Sequence, residues 1–313
     1  MNSGPGEDLC GILNLNKPAG PTSHDVVLQV RRLSGQKRVG HAGTLDPQAS
    51  GVLLLCLGQA TRVAEYLMQS PKVYRATIRL GISTTTYDAE GEIRRQLPVP
   101  AFSGEEMEKA LAPFVGRIAQ KPPLYSALRY KGKRLYKWAR EGAQIEPQPR
   151  PVEIEYIKVL RWDSPSLTVE VRCSPGTYIR SLAHDLGEAL GCGAHLSALT
   201  RLASGHFTLE EAITLEELAA AFAAGRGREL LYPMEEALLS YRAMTVDRRG
   251  ERQLRYGQQV AGPPPSAAEL ASSPSPLRRA YSEEGDFIAL VSYDRRAKLW
   301  QPRKVFTPKN AGN

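Results

Sequence analysis

A glycine-rich loop runs directly into an apolar segment in GHAGTLDPQASGVLLLCL, residues 40–57. The apolar run at 52–57 is most simply a strand that is buried on both faces. The loop before it places Asp46 at the mouth of that strand. An Asp-Pro pair such as Asp46-Pro47 commonly forms a turn or a cap, but such loops also carry catalytic side chains. Composition alone leaves both interpretations of Asp46 open.

Alternating patterns further along the chain predict two more strands and a helix. Residues 73–80 alternate between apolar and polar types, which places Tyr74 on the apolar face of a strand. Residues 167–173 alternate in the same way. A turn then leads into a helix that is expected to begin at about Thr177.

The C-terminal third has a different composition. Residues 209–236 are alanine-rich and acidic and are predicted to be helical. Residues 240–310 are predicted to form a small strand-rich unit. Within that unit, the proline- and serine-rich segment 262–276 is left without secondary structure.

Arg180 falls in the first turn of the helix predicted after Thr177, where the helix macrodipole disfavours a cation. Either its side chain extends along the surface to solvent, or a nearby anion holds it there. A guanidinium paired with Asp46 would keep that carboxylate ionised in a desolvated cleft.

Three further side chains have a structural and a functional interpretation. Tyr74 is either ordinary core or a phenol that needs a polar partner. His41, in the glycine-rich loop, is either solvated or functional. Lys17, before a proline, could equally be a phosphate contact or a solvated turn residue, and we include it among the candidate substrate-binding residues.

Positive charge is concentrated in two places. The formal net charge is +8, and residues 129–140 hold six Lys or Arg and no acid. Residues 241–313 carry thirteen bases against seven acids, so the remainder of the chain is weakly acidic. Two basic patches suit a polyanion, although solvated basic faces would give the same count. Tyr130, Tyr136 and Trp138 interleave the bases of the first patch, as in surfaces where RNA bases stack.

Several protein classes are disfavoured by composition. With 42% hydrophobic and 24% charged residues, the chain has the composition of a soluble globular protein. No apolar run approaches the roughly 18 residues of a membrane helix, and the acidic amino terminus is unlike a secretory signal. The scattered cysteines Cys10, Cys56, Cys173 and Cys192 argue against a disulfide framework and a zinc site, and they fit a reducing cytoplasm.

Five segments, in this order, resemble the bacterial tRNA pseudouridine-55 synthase family over about residues 10–235. They are Asn16-Lys17-Pro18-x-Gly20-Pro21-Thr22-Ser23, Gly40-His41-Ala42-Gly43-Thr44-Leu45-Asp46-Pro47, Lys72-Val73-Tyr74-Arg75-Ala76, Gly176-Thr177-Tyr178-Ile179-Arg180 and Asp185-Leu186-Gly187. The resemblance implies an α+β fold with a mixed, mostly antiparallel central sheet flanked by helices and a cleft across its middle. It also implies a catalytic domain at 1–238, with an RNA-clamping insertion at about 121–150.

The remaining residues, 239–313, resemble the small β-rich, RNA-binding PUA-type domain that often follows. The segments that carry this looser resemblance are Leu254-Arg255-x-Gly257-Gln258 and Trp300-Gln301-Pro302-x-Lys304-Val305-Phe306.

The family resemblance also assigns roles to single residues. It makes Asp46 the catalytic carboxylate and Arg180 the arginine that pairs with it. Tyr74 would pack against the target base, and His41 would fill the space that the flipped nucleotide leaves.

Other residues are assigned to RNA contact by the same resemblance. Tyr178 and Leu199 match positions that line the uracil pocket. The basic segment matches the insertion that closes over the tRNA arm, so Lys133, Arg134 and Lys137 are expected to bind RNA.

The implied reaction needs little besides these side chains. Conversion of uridine to pseudouridine breaks the N1–C1′ bond and forms a C5–C1′ bond without redox change or net hydrolysis, so no cofactor and no metal are expected. An ionised Asp46 could attack C1′ or base C6, or act as a base. The expected partner is the T-arm stem-loop of tRNA, bound by a cytoplasmic monomer without a membrane or an obligate protein partner.

Two other functions compete with this one. A guide-RNA-dependent relative of the same superfamily is disfavoured by residues 129–147, since that branch looks shorter there. A non-catalytic RNA-binding or RNA-folding module would explain the basic patches alone. The joint presence of Asp46, Tyr74 and Arg180 disfavours it.

Overall fold

The computed structural model describes residues 9–306 except for 127, 131, 136, 137, 139, 140 and 142–144. This part of the chain folds into a large mixed sheet with helices packed on it and a smaller sheet formed by the last strands. The architecture confirms the α+β fold class that the resemblance implies.

The strands are, in chain order, β1 (Gly11–Lys17), β2 (Val39–His41), β3 (Ser50–Leu57), β4 (Lys72–Leu80), β5 (Ile82–Thr84), β6 (Ile93–Gln96), β7 (Gly116–Gln120), β8 (Arg129–Tyr130), β9 (Lys133–Arg134), β10 (Arg150–Asp163), β11 (Ser166–Cys173), β12 (Ala194–Ser204), β13 (Phe207–Thr208), β14 (Arg242–Thr245), β15 (Leu277–Tyr281), β16 (Phe287–Asp294) and β17 (Leu299–Val305). The helices are α1 (Ser23–Ser34), α2 (Ala64–Met68), α3 (Gly104–Leu111), α4 (Ile179–Ala189), α5 (Leu215–Ala223), α6 (Arg248–Arg255) and α7 (Ala267–Ser272). Short 3-10 turns lie at Gly58–Arg62, Ala112–Phe114, Gly227–Leu230 and Met234–Leu238.

The large sheet has the strand order β1-β3-β12-β4-β11-β10-β7, with β2 paired to β3 and β13 paired to β12. Its pairings are antiparallel except for a short parallel contact between β3 and β12, where Gly51 lies opposite Arg201. The sheet is therefore mixed and mostly antiparallel, as expected. The parallel contact brings the end of the Asp46 loop beside the middle of β12.

Strand β3 is buried on both faces, which confirms the interpretation of the apolar run at 52–57. Leu53, Leu55 and Leu57 pack in one core with helix α1. The alternate residues pack in another core on the opposite face of the sheet. Because both faces are covered, every position of the strand can be apolar without exposing apolar surface.

Helix α4 begins at Ile179, two residues later than the sequence pattern predicts. Tyr178 stays extended because its N–H donates to Gln120 Oε1 at 2.8 Å and its carbonyl accepts from Gln120 Nε2 at 3.0 Å. Arg180 still lies in the first helical turn. Leu182 and Leu186 pack beneath it against the face of β4 and β11.

Two expectations about the C-terminal third were wrong. Residues 209–236 are not one helical segment, because α5 ends before Gly225, whose φ is 73°, and only 3-10 turns follow. Segment 262–276 contains helix α7. The Ser266 hydroxyl caps it by accepting from the Glu269 N–H, and the Glu269 carboxylate accepts from the Ser266 N–H. This reciprocal capping box is a sequence signature that the proline content masked.

The last strands form the separate four-stranded sheet β14-β15-β16-β17, which confirms a small strand-rich unit. Leu290 and Phe306 of this sheet join the core beneath β3. At the same contact Arg62 donates to the Val305 carbonyl at 2.6 Å, and Lys304 Nζ donates to the Arg62 carbonyl at 2.6 Å. The second sheet is therefore docked on the first through apolar and polar contacts.

No helix in the described part of the chain is both long and apolar enough to cross a membrane.

Close packing of α4 on β12 depends on Gly187. A Cβ at this position would lie 2.1 Å from the Ala194 nitrogen and 2.4 Å from the Gly193 carbonyl carbon. We expect Gly187→Ala to lower the free energy of unfolding by about 2 kcal/mol or more, because the helix must move away from the strand. Gly104→Ala is the matched control, since nothing lies within 4 Å of its Cβ position. Denaturant unfolding should place the control within about 0.5 kcal/mol of the wild type, and equal stability of both variants would contradict the packing argument.

Candidate active site

An open cleft of about 650 Å³ lies across the middle of the large sheet. It is bordered by the loop after β2, by β4 and β12, and by the amino-terminal end of α4. Six of the residues selected from the sequence line it: His41, Asp46, Tyr74, Tyr178, Arg180 and Leu199. A smaller adjoining cavity of about 270 Å³ also reaches Asp46 and Arg180.

The loop that presents Asp46 is fastened to its surroundings on both sides. The backbone of Leu45 exchanges two hydrogen bonds with the Ser23 hydroxyl, at 2.9 and 3.0 Å. The Pro47 carbonyl accepts from the Gly20 N–H at 2.9 Å. These contacts restrict the loop on either side of Asp46, so the direction of its carboxylate is set by the fold.

Arg180 is buried, and its guanidinium faces the Asp46 carboxylate. Nε lies 3.0 Å from Asp46 Oδ2, and Nη2 donates to Asp46 Oδ1 at 3.4 Å. Nη2 also donates to the Tyr125 carbonyl at 2.9 Å. The side chain is 7% exposed, which excludes the surface interpretation and confirms the pairing with Asp46. Burial without such partners would be strongly unfavourable for a guanidinium.

Asp88 is a member of this network that the sequence reasoning missed. Its Oδ2 accepts from Arg180 Nη1 at 3.1 Å, and its side chain is 18% exposed. Asp88 Oδ1 accepts from the Thr86 hydroxyl at 2.5 Å and from the Glu90 N–H at 3.1 Å. The run of threonines at 84–86 before an aspartate and Gly91 is a turn signal that could have drawn attention to it.

The environment of Asp46 acts on its ionisation in two directions. The cleft walls desolvate the carboxyl and raise its pKa, even though 44% of the side chain remains accessible. The Arg180 charge opposes this rise, while the negative charges of Asp88 and Glu90 add to it. The net pKa lies above that of an ordinary aspartate. Arg180 therefore limits a rise in the pKa that burial imposes.

Tyr74 lies on the inner face of β4, as its alternation predicts, and packs between the two cores. Its hydroxyl bonds to Arg201, and burial raises the pKa of the phenol. Arg201 is itself fully buried and donates to the Val52 and Gly43 carbonyls at 2.6 and 3.2 Å. Arg201 thus connects Tyr74 to the strand and the loop that flank Asp46. The sequence carries no signal for it beyond a charge within an apolar strand.

His41 lies at the end of β2 and is half-buried in the cleft wall. Its Nδ1 is buried and has no hydrogen-bond partner among the described residues. Burial and the nearby Arg201 charge lower the pKa of the imidazole, which is therefore neutral near pH 7. The solvated-loop interpretation of His41 was wrong.

Tyr178, directly before α4, and Leu199, on β12, both line the cleft. Burial raises the pKa of the Tyr178 phenol. Leu199 is half-buried and packs against both main cores of the large sheet. They provide an aromatic and an aliphatic wall beside the carboxylate.

Lys17 is neither a substrate contact nor a solvated turn residue, so both interpretations from the sequence were wrong. Its side chain is fully buried, and Nζ donates to the Pro18 and Pro47 carbonyls at 2.7 and 3.0 Å. Burial lowers the pKa of this ammonium, and the Asp46 charge partly offsets the effect. Lys17 therefore supports the Asp46 loop from below.

The basic segment lies between β7 and β10. Lys133 in the β8–β9 hairpin forms an ion pair with Glu141, and its Nζ lies 4.6 Å from the centre of the Trp138 ring. Arg134 is in β9, and Lys137 falls outside the described residues. The structure thus places Lys133 between an aromatic ring and an acidic partner, a contact that the sequence analysis did not predict.

The base of this insertion is tied to α4. The Ser181 hydroxyl donates to the Lys121 carbonyl at 2.8 Å, and Lys121 pairs with Glu146 at 2.6 Å. Together with the bond from Arg180 to the Tyr125 carbonyl, these contacts fix the start of the insertion beside the carboxylate network.

No group of three or more His, Cys, Asp or Glu side chains that could hold a metal ion occurs within the described ranges.

Known families and solved structures are similar to this chain over most of its length. The N-terminal domain of the TruB family pseudouridylate synthases matches residues 31–179, and the tRNA pseudouridylate synthase B C-terminal domain matches residues 180–239. The tRNA pseudouridine synthase B of Dehalococcoides mccartyi strain CBDB1 is 42% identical over 306 residues, which span 97% of this chain and 99% of that protein. The protein of the same name from Xanthomonas axonopodis pv. citri strain 306 is 46% identical over 303 residues, 96% of each chain.

Solved structures share the same fold. A Cbf5-Nop10-Gar1 complex aligns with a TM-score of 0.73 at 27% identity, covering 97% of this chain and 87% of that chain. An H/ACA RNP bound to a substrate RNA containing 2′-deoxyuridine aligns with a TM-score of 0.72 at 26% identity, with the same coverage. The full-length similarity confirms the resemblance drawn from the motifs. The chain belongs to the TruB family of pseudouridylate synthases.

Proposed function

We propose that this pseudouridine synthase acts on the uridine at position 55 in the T-arm stem-loop of tRNA, with Asp46 as its catalytic carboxylate. The observation that carries the proposal is the Asp46 carboxylate held by the buried Arg180 guanidinium in a cleft large enough for a nucleotide. The proposal that the substrate is tRNA is supported by the full-length relatives, which are named as tRNA pseudouridine synthases.

The chemistry requires an ionised carboxylate and little else. The N1–C1′ bond breaks, the base turns, and a C5–C1′ bond forms, while the C5 proton leaves and N1 takes up a proton. Asp46 acts as nucleophile at C1′ or at base C6, or as a base, and each route needs the deprotonated form. Arg180 favours that form against the effect of burial. The oxidation state is unchanged, so the proposed reaction uses no cofactor and no metal.

The remaining cleft residues receive the flipped base. Extruding a stacked base costs a few kcal/mol, which a group filling the vacated space can offset. His41 has a neutral, half-buried ring suited to that task. Tyr74 packs against the uracil ring, while Tyr178 and Leu199 form the sides of the pocket.

RNA binding outside the cleft is divided between two regions. The insertion contributes Lys133, Arg134 and Lys137 near the stem-loop. Residues 239–313 act as a PUA-type RNA-binding domain that follows a catalytic domain at 1–238. Arg249 and Arg252 of its helix α6 face solvent, as does the 78%-exposed Tyr256 directly after that helix, which suits phosphate and base contacts.

A guide RNA is not part of this proposal. The two relatives named as tRNA enzymes are 42% and 46% identical to this chain, whereas the H/ACA RNP and the Cbf5-Nop10-Gar1 complex are 26% and 27% identical. We propose that the chain works as a cytoplasmic monomer, without an obligate protein partner, on tRNA itself.

The function is tested with purified enzyme and an unmodified tRNA transcript. Wild-type enzyme should form pseudouridine at position 55 without added RNA or protein, and Asp46→Asn should abolish conversion while tRNA binding stays within about tenfold. Asp163→Asn is the control, because that aspartate is exposed in β10 and pairs only locally with Arg161. Turnover by Asp46→Asn near the wild-type rate, or a transcript converted only when a guide RNA is present, would overturn the proposal.

The pKa of Asp46 predicts the acid side of the pH–rate profile. Because burial raises this pKa, activity should fall with decreasing pH at a higher pH than the ordinary aspartate value of about 3.9. Glu90→Gln removes one of the negative charges that raise the pKa, so its profile should move to lower pH. Glu92→Gln, in the same hairpin, is the matched control and should leave the profile in place. Single-turnover rates on a T-arm stem-loop measure both, and a shift of Glu90→Gln to higher pH would contradict the assignment.

The division of RNA binding can be tested with two variants and two RNAs. Combined Arg249→Ala, Arg252→Ala and Tyr256→Ala should weaken binding of full-length tRNA about tenfold and reduce its salt dependence, since fewer phosphates are neutralised. The same variant should convert the isolated stem-loop at the wild-type rate. Combined Lys133→Ala, Arg134→Ala and Lys137→Ala should impair both RNAs. Loss of stem-loop turnover in the folded α6 variant would contradict the two-region division.

A further inference from the structure

Two aromatic rings stack immediately behind the carboxylate network. Tyr87 lies in the loop between β5 and β6, and His184 lies on α4. Their ring centres are 3.9 Å apart with an interplanar angle of 5°. Neither ring lines the cleft or the adjoining cavity.

Each residue of the stack is connected along the chain to a residue of the carboxylate network. Tyr87 precedes Asp88 in the loop, and His184 follows Arg180 by one helical turn, on the same face of α4. The loop therefore meets the helix at two consecutive points: the Asp88 carboxylate on Arg180, at 3.1 Å, and the Tyr87 ring on His184.

The backbone at Tyr87 is in an unfavourable conformation. Its φ is 67°, in the left-handed region that a bulky residue rarely adopts. The loop around it is tightly held. The Tyr87 carbonyl accepts from the Leu196 N–H at 2.9 Å, and the Asp88 carbonyl accepts from the Thr84 hydroxyl at 2.6 Å. A Cβ on Gly91 would lie 2.4 Å from the Thr86 hydroxyl oxygen. A tyrosine at such a position needs a compensating contact, and the stack provides one.

Hydrogen bonding at Nδ1 does not explain the position of His184. Its Nδ1 is buried without a hydrogen-bond partner in the part of the chain that is described. Burial lowers the pKa of the imidazole, so the ring is neutral near pH 7. A neutral, flat ring parallel to a phenol is a packing surface.

We propose that Tyr87 and His184 are positioning residues for the reaction: their stack holds Asp88 against Arg180, and Arg180 in turn orients Asp46. The inference rests on the proposed function for its activity test. It concerns residues that lie outside the cleft and act through this chain of contacts.

The test uses His184→Ala, which removes the stack, and His184→Phe, which keeps a flat ring and removes the ring nitrogens. At saturating stem-loop RNA, His184→Ala should lower the single-turnover rate about tenfold, because a misplaced catalytic group loses its near-attack geometry. Its RNA affinity should stay within about twofold, and His184→Phe should restore most of the rate. The double variant Tyr87→Gly, His184→Ala should be no slower than the slower single variant, since both changes remove one contact.

Glu188→Ala is the matched control. It breaks the exposed Arg95–Glu188 ion pair, at 2.7 Å, which links the same hairpin to the same helix away from Arg180. An exposed pair of this kind contributes little, so the rate should remain within about twofold of the wild type.

A second measurement does not depend on activity. Without RNA, hydrogen exchange at the Glu90 N–H, which donates to Asp88, should be faster in His184→Ala and normal in His184→Phe. Wild-type protein that fails to convert tRNA would refute the proposed function, and this exchange result would still decide the positioning role. A wild-type rate or unchanged exchange in His184→Ala, or no rescue by His184→Phe, would overturn the inference.

Discussion

One buried guanidinium joins the parts of this active site. Arg180 contacts the Asp46 carboxylate with two nitrogens, the Asp88 carboxylate with a third contact, and the carbonyls of Thr86 and Tyr125. These partners come from three separate loops. One planar guanidinium can contact all of them because its N–H groups point in fixed, different directions. Removing the guanidinium would leave the Asp46 and Asp88 carboxylates without the cation that bonds to both, which is strongly unfavourable in a desolvated site. The first turn of α4 is thus stabilised by anions that overcome the unfavourable helix dipole.

The sheet explains why those loops converge. The short parallel contact of β3 with β12 places Gly51 against Arg201, and a Cβ at Gly51 would lie 2.3 Å from the Arg201 carbonyl oxygen. The strand that follows the Asp46 loop can therefore approach β12 closely. Arg201 uses this approach to bond to the Val52 and Gly43 carbonyls. Two buried cations, Lys17 and Arg201, donate hydrogen bonds to the backbone on both sides of Asp46 and so stabilise the loop.

The residues near the Asp46 carboxylate are held by hydrogen bonds, whereas the basic residues further away face solvent. The start of the insertion is fixed to α4 through Lys121 and Tyr125, while Lys133 lies further out on the Trp138 ring. The second sheet is docked beneath β3, which directs α6 and its exposed bases to solvent. This arrangement suits an RNA that is bound at several points and enters a preformed cleft with a single nucleotide.

Local sequence patterns determined several strands of this protein and the main residues of its site. Alternation and apolar runs depend only on neighbouring residues, so β3, β4 and β11 and the inward face of Tyr74 could be predicted from the sequence. The motifs around Asp46 and Arg180 led to the family and to their pairing. Tertiary structure alone decided that Lys17 is buried, because its ammonium is satisfied in part by the carbonyl of Pro47, thirty residues away along the chain. It also decided the roles of Asp88, Arg201 and the Tyr87–His184 stack, since each contact joins residues from separate elements whose approach no local pattern encodes.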